Sequence, residues 1–479
     1  MLVRHSLVYI ATNLVAGLFG FATTLILTRL ISPAEYGVFG LGNTLVYFAV
    51  AALFDWQATT YMRFIQATGT DRARMTGVFV GLFLAAVLLS LGLALPFALL
   101  APASIGGGDL AWYVLPCLWV FAWFQFIVRV HTANFHPGRV MAMNLVRGAA
   151  GLVAAVAVAW ATGRGDYVLL ASFAGAALGA MVRMGAVMHF RLPWRERALV
   201  VQAMGFGLPM ALAFVISGLS PVVNRMLLAE FGSLSALGYY SVGAVLVQNT
   251  IGLMAGGVGA AAYTLAVHTL ETDEKRRADA QLAANFVLLL ALLLPSAVGL
   301  ALVAPALVPF LVGREFVGPA VELTPWVAAA AFVGCMRAHY VDTGFHLAKR
   351  TGLLTCLLAA MAALEIGLGI VLIPRFGYMG PAYANLAAMC TGWIVCFAVA
   401  RRVHPMTLPL AEAAKVIAAT LAMAFAVKSV PLGHDALGLA LPIAAGVVVY
   451  GVLVLATNVL GLRQAAFAAV TRRVRRQPT

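Results

Sequence analysis

Residues 280–304 read AQLAANFVLLLALLLPSAVGLALVA, a run of 25 positions without an acidic or basic side chain. An α-helix rises about 1.5 Å per residue, so roughly 20 apolar residues cross the ~30 Å hydrocarbon layer of a bilayer. The strands of a membrane barrel would instead alternate apolar with polar residues over about 10 positions. The run is too long and too uniform for that pattern, and it predicts a membrane-spanning helix.

Similar runs follow one another along the whole chain. The sequence is 63% hydrophobic and 10% charged, whereas a soluble domain has about 45–50% apolar and about 25% charged residues. We therefore predict an all-α polytopic membrane protein with about 14 transmembrane helices and no sizeable soluble domain. The predicted spans are residues 8–28, 36–58, 76–100, 111–133, 140–162, 167–190, 200–224, 236–266, 280–304, 320–340, 351–373, 378–400, 408–428 and 437–461.

The basic residues predict the orientation of the chain. Cytoplasmic loops of membrane proteins carry an excess of lysine and arginine. With the N-terminus inside, 25 of the 31 lysines and arginines fall on inner connections or inner helix ends, and six fall on the outer side. This asymmetry predicts an even number of spans, with both termini in the cytoplasm.

The formal net charge of +14 indicates that the protein interacts with an anionic partner. The basic residues are dispersed over short loops, which favours contact with anionic membrane lipids over nucleic acid binding. The five cysteines include no CxxC pair and lie within predicted spans without a histidine cluster. We expect them to pack as small apolar residues, and we expect no metal site and no cofactor.

The two halves of the chain resemble each other. RVHTANFHPGRVMAMN begins at Arg129, and RAHYVDTGFHLAKRTGLL begins at Arg337, 208 residues later. Because both copies start on the inner side and hold six spans, the repeat is parallel, an arrangement known from transporters. We predict an N-terminal six-helix lobe (1–198), a second six-helix lobe (199–403), and a C-terminal helix pair with a basic cytoplasmic tail (404–479). A longer loop is expected in the second copy between Arg225 and Leu237.

The stretch TRLISPAEYGVFGL, from Thr28 to Leu41, resembles the first-loop signature of the polysaccharide transporters of the MOP (multidrug, oligosaccharidyl-lipid, polysaccharide) superfamily. That group includes the flippases for O-antigen and exopolysaccharide precursors. The resemblance implies alternating-access translocation of an undecaprenyl-pyrophosphate-linked oligosaccharide across the bacterial inner membrane. It also implies association with membrane lipids and with a polysaccharide polymerase or export machinery.

Polar residues within spans are the candidates for substrate contact. A lipid-linked glycan has a polar, anionic head, so its carrier needs a wet and preferably cationic path. We predict contacts with this head from Arg29, Arg147, Arg225, Asn144, Asn43 and Asn249. The alternative is structural, because small polar residues also form helix-packing seams and arginines near helix ends also anchor at the interface.

Two acidic residues lie inside predicted spans. Glu365 is the deeper one, and Asp55 lies nearer the inner end of span 2. Ionisable groups within the bilayer are costly and often mark ion pathways, so we predict that both residues serve a coupling cation, H⁺ or Na⁺. The alternative for Glu365 is a protonated carboxyl bonded to a neighbouring helix.

Two other functions share parts of this pattern. A multidrug or metabolite exporter of the same superfamily would have the same topology, although exporters of organic cations favour acidic pockets. A membrane glycan polymerase or glycosyltransferase would need catalytic acids or bases on its outer loops, and the outer loops here are short and lack paired carboxylates. We therefore predict a transporter and not an enzyme.

Overall fold

The computed structural model describes residues 2–66, 71–100, 109–182, 196–256, 275–404, 406–431, 433 and 435–461. Apart from short connections, the chain is helical in these ranges, and they contain no β-strand. The last parts of predicted spans 6 and 8, from 183 and from 257, lie outside the described residues, as does the basic tail from 462.

Each of the 14 predicted spans corresponds to a helix, so the predicted fold class is confirmed. We number the helices in chain order. Their bounds are α1 Leu2–Leu30, α2 Pro33–Phe64, α3 Arg72–Leu100, α4 Asp109–Ala133, α5 Pro137–Thr162, α6 Gly165–Met181, α7 Arg197–Phe231, α8 Leu234–Val247, α9 Lys275–Leu311, α10 Arg314–Leu347, α11 Thr351–Phe376, α12 Gly380–Val403, α13 Leu410–Ser429 and α14 Ala436–Ala456.

The connection between α7 and α8 differs from the prediction. We expected a longer loop in the second copy of the repeat, but α7 continues to Phe231 and α8 begins at Leu234. The extra residues therefore lengthen α7 instead of forming a loop. Arg225 lies six residues before the end of α7, whereas Arg29 lies one residue before the end of α1. The two arginines are thus not at matching depths in their helices.

Three π-helical turns interrupt the α-helical geometry of the described residues. One is Ala51–Asp55 in the middle of α2, one is Gln248–Gly252 directly after α8, and one is Arg337–Val341 within α10. Such turns are rare and often occur at functional sites. The first two contain the predicted site residues Asp55 and Asn249.

The chain divides into two compact units. The first comprises Met1–Val242, Val312–Phe316 and Leu358–Ala384, and the second comprises Gly243–Leu311, Val317–Leu357 and Asn385–Thr479. These units do not follow the predicted lobe boundaries, because α7 and most of α11 cluster with the first six helices. The division into two six-helix lobes stays a prediction about the sequence repeat.

In the first unit, helices α2 and α8 cross closely at Gly37, which belongs to the motif from Thr28 to Leu41. A side-chain carbon on Gly37 would collide with the carbonyl oxygen of Leu234, and one on Gly238 would collide with that of Pro33. The N-terminal turns of α2 and α8 can therefore touch only because both positions are glycine. A buried apolar cluster from five helices surrounds this crossing, and it includes Leu41, Leu110, Leu228, Leu237 and Ile373.

The second unit joins the C-terminal helix pair to α9. The Tyr450 hydroxyl of α14 donates a 2.6 Å hydrogen bond to the Ala291 carbonyl of α9. Val303 of α9 packs with Met423 and Val427 of α13 in a buried cluster. Helices α13 and α14 are therefore held to the second unit through α9.

Candidate functional site

Arg147 lies within the membrane-spanning part of α5. It is ten residues after Pro137, or about 15 Å along a 26-residue helix. The centre of its guanidinium lies 5.4 Å from the ring centroid of Phe121 and 5.5 Å from that of Phe124. Gly179 of α6 leaves space for this arrangement, since a side-chain carbon at that position would come within 2.9 Å of Phe124. The aromatic faces stabilise the cation at this depth.

No carboxylate pairs with Arg147 among the residues that the structure describes. Its Nε atom is buried and has no hydrogen-bond partner there. The Nε of Arg337 in α10 is likewise buried without a partner, but its Nη1 donates bonds of 2.8 and 3.1 Å to the carboxylate of Asp342. Arg337 is therefore neutralised within the fold, whereas the charge of Arg147 remains available to an anion.

Helix α2 carries three polar residues that the sequence singles out or the structure exposes. Asn43, Tyr47 and Asp55 are all partly or fully exposed, and they follow one another at four- and eight-residue steps. Asp55 interacts electrostatically with Arg129 of α4. Asn144 of α5 is partly exposed and donates a 2.9 Å hydrogen bond to the carbonyl of Val140. Four of the predicted site residues thus belong to the helices α2 and α5 of the first unit.

Glu365 of α11 is buried and bonded to another helix. Its side chain is 5% exposed, and its Oε1 accepts a 2.8 Å hydrogen bond from the Nδ2 of Asn224 on α7. The Oδ1 of the same asparagine is buried and has no hydrogen-bond partner within the described ranges. A side chain on Gly369 would come within 2.6 Å of that oxygen. The glycine therefore makes room for the amide beside the carboxyl group.

Arg225 lies next to this pair. Its guanidinium centre is 5.7 Å from the ring centroid of Tyr240, and its Nη1 donates a 3.3 Å hydrogen bond to the Pro221 carbonyl. Tyr240 also interacts electrostatically with Glu365. One acidic and one basic predicted site residue are thus brought together around a tyrosine. The tyrosine was not anticipated from the sequence.

Arg29 and Asn249 are the remaining two predicted residues. Arg29 is exposed in the last turn of α1. Asn249 is partly exposed in the π-helical turn after α8, and its amide donates a 3.0 Å hydrogen bond to the Val245 carbonyl. Asn249 belongs to the second unit, whereas the other predicted site residues belong to the first.

Sequence reasoning missed the partners of the predicted residues. Asn224 had a usable signal, because an amide in the middle of an apolar helix requires a hydrogen-bonding partner. Phe121 and Phe124 had none, since aromatic residues are common throughout the apolar spans. The described residues contain no group of three or more histidine, cysteine or acidic side chains that could hold a metal ion.

The sequence comparison decides the family. The family described as "Polysaccharide biosynthesis protein" matches residues 26–320. The chain belongs to this family. The match begins two residues before the motif that starts at Thr28 and extends into α10. A comparison with curated proteins gives no match.

Solved structures show which fold this member of the polysaccharide biosynthesis family adopts. The lipid II flippase MurJ, in an inward closed conformation, matches with a TM-score of 0.79 at 12% identity, over 95% of this chain and 99% of that chain. An inward-facing multidrug resistance MATE family transporter of the MOP superfamily matches with a TM-score of 0.57 at 12% identity, over 81% and 94%. A MOP superfamily transporter from Pyrococcus furiosus matches with 0.52 at 14%, over 84% and 94%. The protein is therefore a multi-pass membrane protein with the fold of MOP superfamily transporters.

Proposed function

We propose that this protein translocates an undecaprenyl-pyrophosphate-linked oligosaccharide across the bacterial inner membrane during the synthesis of a cell-surface polysaccharide. The product would be a lipopolysaccharide O-antigen or an exopolysaccharide, assembled with a polymerase or export machinery. Both termini would lie in the cytoplasm, and transport would follow alternating access. The family match and the transporter fold support the class of protein.

The observation that carries the proposal is the unpaired charge of Arg147. A guanidinium far inside a span is costly unless a partner compensates for it. The described residues offer Arg147 two aromatic rings but no carboxylate. A pyrophosphate supplies the missing anion, and a guanidinium binds phosphate oxygens through two parallel hydrogen bonds. We assign Arg147 to the pyrophosphate.

The other predicted substrate contacts take supporting roles in this proposal. Asn43 and Asn144 would bind polar groups of the substrate, and Asn249 is a further candidate contact for its polar groups. Arg29 and Arg225 would hold the anionic head on the predicted outer side. Because these two arginines differ in depth, we expect them to act at different stages and not as a symmetric pair.

The pair formed by Asn224 and Glu365 is the proposed coupling site. The carboxyl group of Glu365 accepts a hydrogen bond from Asn224, and the Oδ1 of Asn224 has no hydrogen-bond partner among the described residues. Together these oxygens form an oxygen-rich environment. Such oxygens suit a proton or Na⁺, and both can load and unload as the membrane gradient changes. Asp55 is a second candidate for this role. A neutral, purely structural Glu365 remains the competing hypothesis.

A cellular experiment separates this function from multidrug export and from catalysis. Deletion of the gene is expected to abolish the surface polysaccharide and to trap its lipid-linked precursor in the inner leaflet. Arg147→Ala should reproduce that phenotype, and Arg147→Lys should restore export only partly because a lysine lacks the bidentate geometry. Arg139→Ala, an exposed charge change on the same helix, is the matched control and should export normally. Normal export by Arg147→Ala, at equal amounts of protein in the membrane, would refute the assignment.

A further inference from the structure

Tyr47 is exposed near the middle of the membrane-spanning helix α2, where a lipid-facing tyrosine is unexpected. It lies 14 residues after the start of α2, or about 21 Å along a 32-residue segment, and its side chain is 45% exposed. Tyrosines of the aromatic belts lie at the ends of membrane helices, where the hydroxyl reaches water. The central position of Tyr47 excludes that explanation. A hydroxyl exposed to hydrocarbon at this depth would lose its hydrogen bonds.

The hydroxyl of Tyr47 has no hydrogen-bond partner among the residues that the structure describes. Asn43 lies one turn earlier and Asp55 two turns later, and both are partly exposed. An exposed phenol and a partly exposed amide one helical turn apart would both lose hydrogen bonds if they faced hydrocarbon. This side of α2 therefore borders water or a polar ligand.

The ring of Tyr47 is fixed in place beside Arg147. It meets Phe121 at a centroid distance of 5.0 Å and an angle of 80°, and it meets Phe173 at 6.3 Å. Phe121 is also one of the two rings that contact Arg147, at 5.4 Å. Because both residues touch the same ring, they lie within about 10 Å of each other. The packing of Phe121 against α2 and α5 thus sets the spacing between the exposed phenol and the guanidinium.

A sugar linked to a phosphate matches this pair of groups. A pyranose has an apolar face of C–H groups and a rim of hydroxyls, so it can lie on an aromatic ring while its rim binds polar side chains. In the proposed substrate the first sugar is attached directly to the pyrophosphate. When Arg147 holds the pyrophosphate, that sugar is within reach of Tyr47 and Asn43.

We propose that Tyr47 is a specificity-determining residue on which the first sugar of the lipid-linked substrate stacks. This inference rests on the proposed function, because it requires the pyrophosphate at Arg147. It assigns separate tasks to two residues. Arg147 recognises the phosphate of any undecaprenyl-pyrophosphate lipid, and Tyr47 recognises that a pyranose is attached to it.

Direct binding tests the inference with two classes of probe. The purified protein in nanodiscs is titrated with sugar-free undecaprenyl pyrophosphate and with the same lipid carrying one N-acetylglucosamine, one glucose or one galactose. The wild type should bind at least one sugar-bearing lipid more tightly than the sugar-free lipid. Tyr47→Leu keeps apolar volume against Phe121, and it should weaken the preferred sugar-bearing lipid roughly five-fold while leaving the sugar-free lipid unchanged. Tyr47→Phe should retain most of the preference, and Trp112→Ala, which removes an exposed ring of α4, should change neither affinity.

The outcomes separate this inference from the function on which it rests. Equal weakening of both lipids by Tyr47→Leu, or no weakening of either, would overturn the stacking role. A wild type that gains no affinity from any of the three sugars would overturn it as well. Failure of the wild type to bind any of these lipids, or normal binding of all of them by Arg147→Ala, would overturn the proposed function itself.

Discussion

Asn224 donates a 2.8 Å hydrogen bond to the buried carboxyl group of Glu365, a residue 141 positions later in the sequence. The bond joins α7, the first helix of the predicted second lobe, to α11. It gives Glu365 a partner that the sequence alone did not identify.

This geometry makes Glu365→Gln a sharp test of coupling. The glutamine retains a carbonyl oxygen that can accept the bond from Asn224, so the fold should be preserved, but the side chain can no longer exchange a proton or carry a charge. We expect transport to persist slowly and to lose its dependence on an imposed pH or Na⁺ gradient in vesicles. If the variant responds to both gradients as the wild type does, Glu365 is structural.

The crossing of α2 and α8 predicts two stability phenotypes. Gly37→Ala and Gly238→Ala each place a methyl group against a backbone carbonyl that cannot yield easily. Each should lower stability by about 2 kcal/mol and reduce the unfolding temperature in detergent. Gly20→Ala in α1 is the matched control, because no atom lies within 4 Å of the added carbon. Wild-type unfolding temperatures for both crossing variants would show that the two helices do not pack this closely.

The ion pair between Arg337 and Asp342 predicts a different pattern. Both side chains are only about one-tenth exposed, so removing one partner leaves a buried charge without compensation. Arg337→Leu should therefore destabilise the protein by about 3 kcal/mol or more. The double variant Arg337→Leu with Asp342→Leu should recover much of this loss, since both charges are then absent. A double variant that unfolds as readily as the single one would contradict a compensated pair.

The membrane topology can be tested with reporter fusions. The distribution of basic residues predicts periplasmic activity for fusions at Gly108, Gly165 and Gly433, and cytoplasmic activity at Thr70, Glu196 and Asp273. Activity on the opposite side at the last three positions would reverse the orientation.

The sequence allowed the helices to be predicted because lipid imposes a simple requirement. Every backbone polar group must be satisfied within a span, so long apolar runs such as 280–304 can only be helices. The same requirement does not determine where a helix ends outside the apolar layer, and α7 continues to Phe231, beyond the predicted end at residue 224. The added stretch contains Arg225 and Glu230, and a hydropathy pattern ends a span at such charges even where the helix continues.

The candidate site could be predicted only in part, for a related reason. Arg147 and Glu365 stand out because charge is rare inside spans. Their neighbours do not stand out, because Phe121 and Gly369 are ordinary residues in an apolar helix. Whether a buried arginine is neutralised, as Arg337 is by Asp342, depends on the geometry of the π-helical turn between them. That geometry is not visible in residue spacing alone.

The most direct test of the central claim is lipid flipping by the purified protein in proteoliposomes. Undecaprenyl-pyrophosphate-linked oligosaccharide is placed in both leaflets, and the fraction that reaches an impermeant sugar-modifying reagent is followed over time. We expect the wild type and Arg139→Ala to expose the protected lipid far faster than empty liposomes do. Arg147→Ala should be slower by about ten-fold or more. Exposure by the wild type at the rate of empty liposomes, or by Arg147→Ala at the rate of the wild type, would contradict that claim.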